Sequence, residues 1–347
     1  MSPSGKLPPG SMDAVYRHLG ARSKMVVLGP GRGLDNAVLS LGGGRVMIVT
    51  ADPVSVIPAV GVRRSAWLSV HLIASDFTTS GVDPEFAVFT YNFPPEMKTM
   101  EMEAYVAAVG DECAELGVAI AAGHSGSYSG AGYTVIGGGV MFGAAPREEY
   151  VTPAMARVGD VVLMTKHAAI EAAASLATSF PESTEKAVGG KAARRVRAML
   201  SLCSTVADAR AARRAGLRSA VTSMHDATEG GVLGALDEMS AASGRAFVVD
   251  VRAIPVPPDV ERVCSAFGID PLLTMGEGAL LITCRPGAAK RLGETLSVAG
   301  VATATIGRVA AGSGLWTKGR KKKLSRFEGA QDGYWAAYDR ATAEGLR

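Results

Sequence analysis

Two α/β domains in tandem are the fold that the sequence predicts, and three observations lead there. Short apolar runs alternate with stretches of helical periodicity along most of the chain. Several of those runs end on a turn carrying glycine or aspartate. A chain of 347 residues, 48% hydrophobic and 20% charged, is long enough for two ordinary cores and too apolar for disorder.

The elements follow in order. Residues 1–11 are rich in Pro, Gly and Ser and read as flexible. A helix over 12–19 precedes a short strand over 25–28 and a glycine loop over 29–36. Strands over 37–41 and 45–50, split by Gly42-Gly43-Gly44, have a hairpin pattern, and the second ends on Thr50-Ala51-Asp52-Pro53. Helical spacing covers 67–80, with Asp76 near its end and Gly81 as a stop. A strand over 86–93 ends at Pro94-Pro95, and a helix over 98–116 stops at Gly117. A strand over 118–122 then opens onto a glycine-rich turn holding Gly123, His124 and Gly126, and a further strand covers 133–142. Residues 145–157, with two prolines and mixed charge, form a boundary, which gives a first domain over 12–150 and a second over 151–347.

The second half restarts with a strand from 159 to 166 and a helix over 170–176, and polar, helical-looking sequence runs to about 214. Residues 221–244 carry a polar knot of His225, Asp226, Thr228 and Glu229, then Gly230 and Gly231, then an apolar-periodic segment stopped by Gly244. That reads as strand, tight turn, helix. Glycines at a helix start let a ligand approach the backbone, where free amides favour an anion such as phosphate. An ordinary capped helix start fits the stretch equally well when it is taken alone. Strands over 247–251, 279–284 and 302–309 and a helix over 288–298 complete the pattern.

Composition excludes several classes. No apolar run approaches the roughly 18 residues that span a bilayer. The N-terminus has no signal-peptide core, so a cytoplasmic protein is expected. Cys113, Cys203, Cys264 and Cys284 are scattered singly, which argues against a thiolate metal site. The net charge is +3, and Lys318, Arg320, Lys321, Lys322 and Lys323 supply five positive charges in one run. No aromatic platform or basic helix accompanies them, so they read as a solvated turn and nucleic acid is not an expected partner.

The chemistry-bearing residues are acids at the ends of elements: Asp35, Asp52, Asp76 and Asp226. Singly, each is an ordinary turn or cap residue. Jointly they suit Mg²⁺, which takes carboxylate, phosphate and water oxygens, and a site where positioning and charge neutralisation carry phosphoryl transfer. A Walker-type loop is absent, since Gly189-Gly190-Lys191-Ala192 lacks the upstream glycine spacing and the Ser/Thr. A dinucleotide fingerprint fails because Asn36 stands where a glycine is needed. His71, inside an apolar helix, reads as structural, whereas His124 and His225 lie among small neighbours that leave room for a ligand.

Taken together, Gly29-Pro-Gly-Arg-Gly-Leu-Asp-Asn-Ala-Val38, Thr50-Ala-Asp-Pro53, Val70-His-Leu-Ile-Ala-Ser-Asp-Phe-Thr-Thr-Ser-Gly81, Ala122-Gly-His-Ser125, Met224-His-Asp-Ala-Thr-Glu-Gly-Gly231 and Gly276-Glu-Gly-Ala-Leu-Leu281 resemble successive motifs of one superfamily. It is the aminoimidazole ribonucleotide synthetase (PurM-like) superfamily, and the likeness is greatest to HypE and its archaeal relatives. The resemblance implies an N-terminal sheet that pairs with its twin in a homodimer, giving a barrel at the interface, and a C-terminal α/β domain folded over it. It also implies ATP between the domains, its phosphates meeting Mg²⁺ held by Asp35, Asp52 and Asp76 with Asp226 nearby. The glycines at 31, 33, 123, 126, 230 and 231 (Gly31, Gly33, Gly123, Gly126, Gly230, Gly231) would pass close to the nucleotide.

Three departures stand out. HypE ends in a tail whose cysteine accepts the carbamoyl group, and no cysteine follows Cys284 here, so dehydration by that route is not expected. His124 stands where relatives usually place an acid, and a neutral imidazole is a poor Mg²⁺ ligand. The segment Lys166-His-Ala-Ala-Ile-Glu171 carries alanines where relatives often have glycine. Selenophosphate synthesis is not expected either, since Lys6 has no cysteine near it. The expectation is a homodimeric, Mg²⁺-dependent, ATP-using enzyme acting on a small molecule, with His124, His225 and Asp226 as catalytic candidates. A nucleotide-binding scaffold or sensor, or a subunit of a maturation complex, is the alternative.

Overall fold

Alternate burial along the strands, every second residue packed and its neighbour partly open, builds the first of two sheets. The computed structural model describes residues 5–7, 9–319, 324–329 and 331–347. Residues 1–4 of the N-terminus and the basic residues 320–323 therefore lie outside the described residues. The first sheet holds β1 (Val26–Leu28), β2 (Ala37–Gly42), β3 (Arg45–Ser55), β4 (Phe86–Phe93), β5 (Ala119–Ser127) and β6 (Val135–Pro146), in the order β1-β2-β3-β6-β4-β5. Helices α2 (Val62–Thr78) and α3 (Thr99–Leu116) cover one face, burying Ile48, Ile73, Phe77, Phe89, Tyr105 and Met141. Gly117 ends α3 with a left-handed φ of 80°. The opposite face carries Leu39, Met47, Val49, Val88, Val140 and Phe142, all half-buried, and Phe86, 42% exposed, stacks on Phe142 at 5.4 Å.

The second sheet holds β7 (Val161–Thr165), β8 (Val221–Asp226), β9 (Ala246–Asp250), β10 (Leu280–Cys284), β11 (Thr303–Ala310), β12 (Gly314–Lys318) and β13 (Leu324–Arg326), in the order β13-β12-β9-β11-β7-β10-β8. Around it pack α4 (Ile170–Ser179), α5 (Pro181–Val188), α6 (Gly190–Ala198), α7 (Val206–Arg213), α8 (Gly231–Ser243), α9 (Pro258–Phe267), α10 (Ala289–Val298) and α11 (Tyr334–Ala343). The short α1 (Pro9–Val15) stands near the N-terminus. No described helix is long and apolar enough to cross a membrane.

Two expected turns are strand. β3 continues through Asp52-Pro53 because Gly137, Gly138 and Gly139 of β6 oppose Val54, Pro53 and Asp52 and present no side chains to obstruct the pairing. β5 continues through Gly123 and His124, parallel to β4. The first helix starts at Pro9 and not at 12, at a position where proline's missing N–H costs nothing. Elements β12, β13 and α11 fall beyond the last strand that periodicity picks out.

Candidate functional site

Strand β8 is buried along all six residues, and it delivers His225 and Asp226 to its end, opposite Leu281 and Leu280 of β10. The first domain brings Asp35 to the same place and sets Asp52 and Asp76 within reach of its charge. Asp35 lies in the loop before β2, where Thr50 Oγ1 donates to its carbonyl at 2.8 Å. Asn36 beside it donates to the carbonyl of Asp76 at 2.8 Å and to Thr79 Oγ1 at 2.9 Å, tying that loop to the end of α2. Asp52 points from β3, and Asp76 sits in the last turn of α2.

Asp35, His225 and Asp226 offer ligand atoms within 4.8 Å of one another. His225 Nδ1 is 2.9 Å from Asp35 and 3.7 Å from Asp226 Oδ1, and the second distance is beyond hydrogen-bond reach. Both carboxylate oxygens of the fully buried Asp226 are left without a hydrogen-bond partner. An orphaned buried carboxylate costs several kcal/mol, roughly, unless something else compensates it.

The field at this point is strongly negative. Burial, then Asp226, pushes Asp52 up to about 7. Burial, then Asp226, Asp52 and Asp35, raises Asp76 well above the carboxylate range. Two further acids share the field. Glu171 on α4 is pushed up to about 8 by burial and Glu229, and Glu277 is raised by burial, Asp226 and Glu171. His225 moves the other way from an isolated buried imidazole. Burial works to lower its pKa, and Asp35, Asp226 and Glu238 outweigh it, so the ring is held as imidazolium. Its Nε2 faces Glu238 on α8 at 3.3 Å.

A cavity of about 910 Å³ opens beside the cluster. Gly31, Gly33, Asp35, His225, Gly230 and Glu238 line it, together with residues from both ends of the chain. Gly33 has to be glycine for packing, since a Cβ there would meet the carbonyl oxygen of Glu238 at 2.3 Å. The α8 N-terminus, expected to offer amides to phosphate, has them engaged. Gly230 N–H donates to Asp332 at 2.9 Å, and Gly231 N–H to the Thr228 carbonyl at 3.0 Å. A Cβ on Gly231 would meet the carbonyl oxygens of Thr274 and Leu272 within 2.8 Å. Gly231 thus serves a close chain crossing that sequence reading cannot separate from a ligand approach, while Gly230 takes a left-handed φ of 84°.

His124 is not in a turn and does not join the acids within one chain. Asp52, Gly139, Phe89 and Gly123 pair in a row across β3, β6, β4 and β5. Gly123 and His124 therefore stand three strand spacings from Asp52, about 14 Å. His124 is exposed, and its Nε2 meets Tyr128 Oη at 2.7 Å. Gly123 has a local cause too, since a Cβ would meet the Phe89 carbonyl oxygen at 2.7 Å, whereas a Cβ on Gly126 would meet only the end of the exposed Tyr128 side chain, which can move. His71 is structural, as expected. It is stacked on Trp67 and bonded to Ser204 at 2.9 Å, and burial and Arg210 lower it to about 4.

Glu171, Glu277, Glu238 and Lys6 were not singled out as site residues. Glu277 lies inside the quoted Gly276-Glu-Gly motif, so its signal was present. Glu238 sits well inside α8, two turns past the glycines, and only the folded helix aims it at His225.

The family model described as "AIR synthase related protein, N-terminal domain" matches residues 33–145, and its C-terminal counterpart matches residues 157–317. The chain is similar to the carbamoyl dehydratase HypE of Cupriavidus necator, 26% identical over 259 residues, which cover 73% of this chain and 69% of that one. Among solved structures, AaThiL complexed with AMPPCP and TMP superposes with a TM-score of 0.71 at 16% identity, covering 93% of this chain and 96% of that chain. HypE from E. coli does so with a TM-score of 0.71 at 21% identity, covering 92% and 97%. Both family models match in order and together span most of the chain, which belongs to the AIR synthase-related proteins.

Proposed function

We propose that this chain is an ATP-using enzyme whose acids Asp35, Asp52, Asp76 and Asp226 hold Mg²⁺ against the nucleotide's polyphosphate. The observation that carries the reading is the gathering of Asp35, Asp52 and Asp76 from the first domain about Asp226 of the second, whose two oxygens are buried and unpartnered. The donor set fits the ion, because Mg²⁺ takes hard oxygen ligands and supplies charge neutralisation to phosphates when bound. Relatives support the nucleotide, since AaThiL was solved with AMPPCP and a HypE with ATP. The 12–150 and 151–347 portions would then act as two jaws. Asp35 and Glu238 grip the His225 imidazolium from either side, fixing a cation at the cavity wall. The acceptor is a small molecule, and the reaction either transfers phosphate to it or activates one of its oxygens.

Asp76→Ala tests the site. Calorimetry with AMPPCP and Mg²⁺ is expected to show affinity falling by about a hundred-fold or more. Unchanged affinity would remove Asp76 and the convergence argument with it. A nucleotide-binding scaffold without turnover is the second reading, favoured by the engaged amides at the start of α8. Single-turnover formation of ADP across candidate acceptors separates the two.

The open face of the first sheet supports a homodimer. Leu39, Met47, Val49, Val88, Val140 and Phe142 form one apolar patch across four strands, of a kind that monomers rarely leave bare. In light scattering at micromolar concentration the chain is expected at twice its own mass, and Phe142→Arg at its own mass. A wild-type protein that runs as a monomer overturns this.

A further inference from the structure

Asp35 and Glu238 line the cavity, with Asp52, Asp76 and Asp226 sharing their field, and a cation reaches Glu238 from more than two hundred residues away. Lys6 Nζ stands 2.5 Å from Glu238 Oε1. Its backbone is docked as well, because the Lys6 N–H donates to the Glu229 carboxylate, which also accepts the Trp335 indole N–H at 3.1 Å. Gly5 lies against the same indole, close enough that a Cβ would meet Trp335 Cδ1 at 2.7 Å. The main chain is thus anchored on Glu229 and Trp335 while the ammonium reaches inward. From there the charges alternate in a line, Lys6 to Glu238, Glu238 to His225 at 3.3 Å, His225 to Asp35 at 2.9 Å.

We propose that Lys6 is a tethered counter-ion, which offsets the carboxylate cluster in the metal-free protein and competes with a divalent cation for it, so that cation binding releases the segment carrying it. This rests on reading Asp35, Asp52, Asp76 and Asp226 as cation ligands. The Lys6 side chain is 47% exposed, so its ion pair is weak and can open without disturbing a core. Its reach extends past Glu238. Burial works to lower the Lys6 pKa, and Glu238, with Asp35 and Asp76 behind it, raises it. Lys6 in turn works to lower Asp52. A single charge on a half-exposed side chain satisfies such a cluster incompletely, and a divalent ion bound by oxygens does so better.

The test is a Mn²⁺ titration by calorimetry at low salt on wild type, Lys6→Ala and Lys6→Arg, with amide hydrogen exchange followed in the N-terminal peptide. Lys6→Ala is expected to bind Mn²⁺ about five-fold tighter, since it removes a competing charge, and Lys6→Arg to stay within about two-fold of wild type. Mn²⁺ is expected to speed exchange of the Lys6 amide in wild type, because that N–H leaves Glu229. Equal or weaker binding by Lys6→Ala, or exchange unmoved by Mn²⁺, overturns the proposal. If wild type binds Mn²⁺ and Asp76→Ala does not, while Lys6→Ala matches wild type, the counter-ion fails and the cation site stands. If wild type and Lys6→Ala both fail to bind, the cation site falls and takes the counter-ion with it.

Discussion

Asp226→Asn is expected to raise the melting temperature of the metal-free protein by about 5 °C while abolishing its Mg²⁺-dependent nucleotide binding. Asp226 is fully buried, and neither carboxylate oxygen has a protein partner. It is also the leading charged neighbour that raises Asp52, Asp76 and Glu277. Asparagine keeps the volume, removes the charge, and gives its amide N–H groups carboxylates to donate to. Relief of that strain is worth on the order of 1–3 kcal/mol, a large effect for one side chain. The gain in stability and the loss of binding have one cause, since a group left unsatisfied by the protein is satisfied by its ligand. Thermal melts in EDTA measure the first half and calorimetry the second. A melting temperature that drops in EDTA would make Asp226 a structural residue.

The second large effect is on pH. In the metal-free protein, stability is expected to fall as pH rises from about 5 to 8, by on the order of several kcal/mol across the cluster. Asp52 at about 7 and Glu171 at about 8 both lie above their ordinary values of 3.8 and 4.5. Folding therefore holds protons that the unfolded chain has released, and raising the pH favours the unfolded chain. His225, raised by Asp35, Asp226 and Glu238, acts in the same direction, because its charged form is the paired one. Glu238 acts oppositely. Although burial works to raise it, His225 and Lys6 bring it to about 2, so its contribution is lost only as pH falls from 4.5 toward that value, below the window. Saturating Mg²⁺ is expected to flatten or reverse the slope, since it binds the deprotonated carboxylates. Melting curves against pH in EDTA and in Mg²⁺ give the result. Metal-free stability that climbs from pH 5 to 8 would contradict the burial of these acids as charged neighbours.

Much of the fold could be read from the sequence, because local patterns carry it. Phe86–Phe93 has strict alternation between turn signals, and Thr99–Leu116 has helical spacing with a glycine stop. The acids at 35, 52, 76 and 226 were readable as a set, since each stands where apolar patterning breaks. What sequence does not carry is the neighbour across space. Gly123 reads as part of a turn and lies in β5, close against the Phe89 carbonyl. Pro53 looks like a strand end and is carried on by a glycine partner strand. The segment after residue 310 was passed over because β12 and β13 lie on either side of the basic run that reads as a solvated turn. Glu238 and Asp332 act on His225 and Gly230 from distant elements, and their roles exist only once α8 and α11 are docked.

Residues from both ends of the chain frame the cavity together, Lys6 and Tyr16 with Asp332 and Trp335. Asp332 closes the start of α8, and the Trp335 indole fixes Glu229. The chamber therefore joins segments more than three hundred residues apart, and loosening either one opens a wall that the other helps to hold. A folding intermediate with both sheets formed and these segments undocked gathers its acids without the walls that line the cavity.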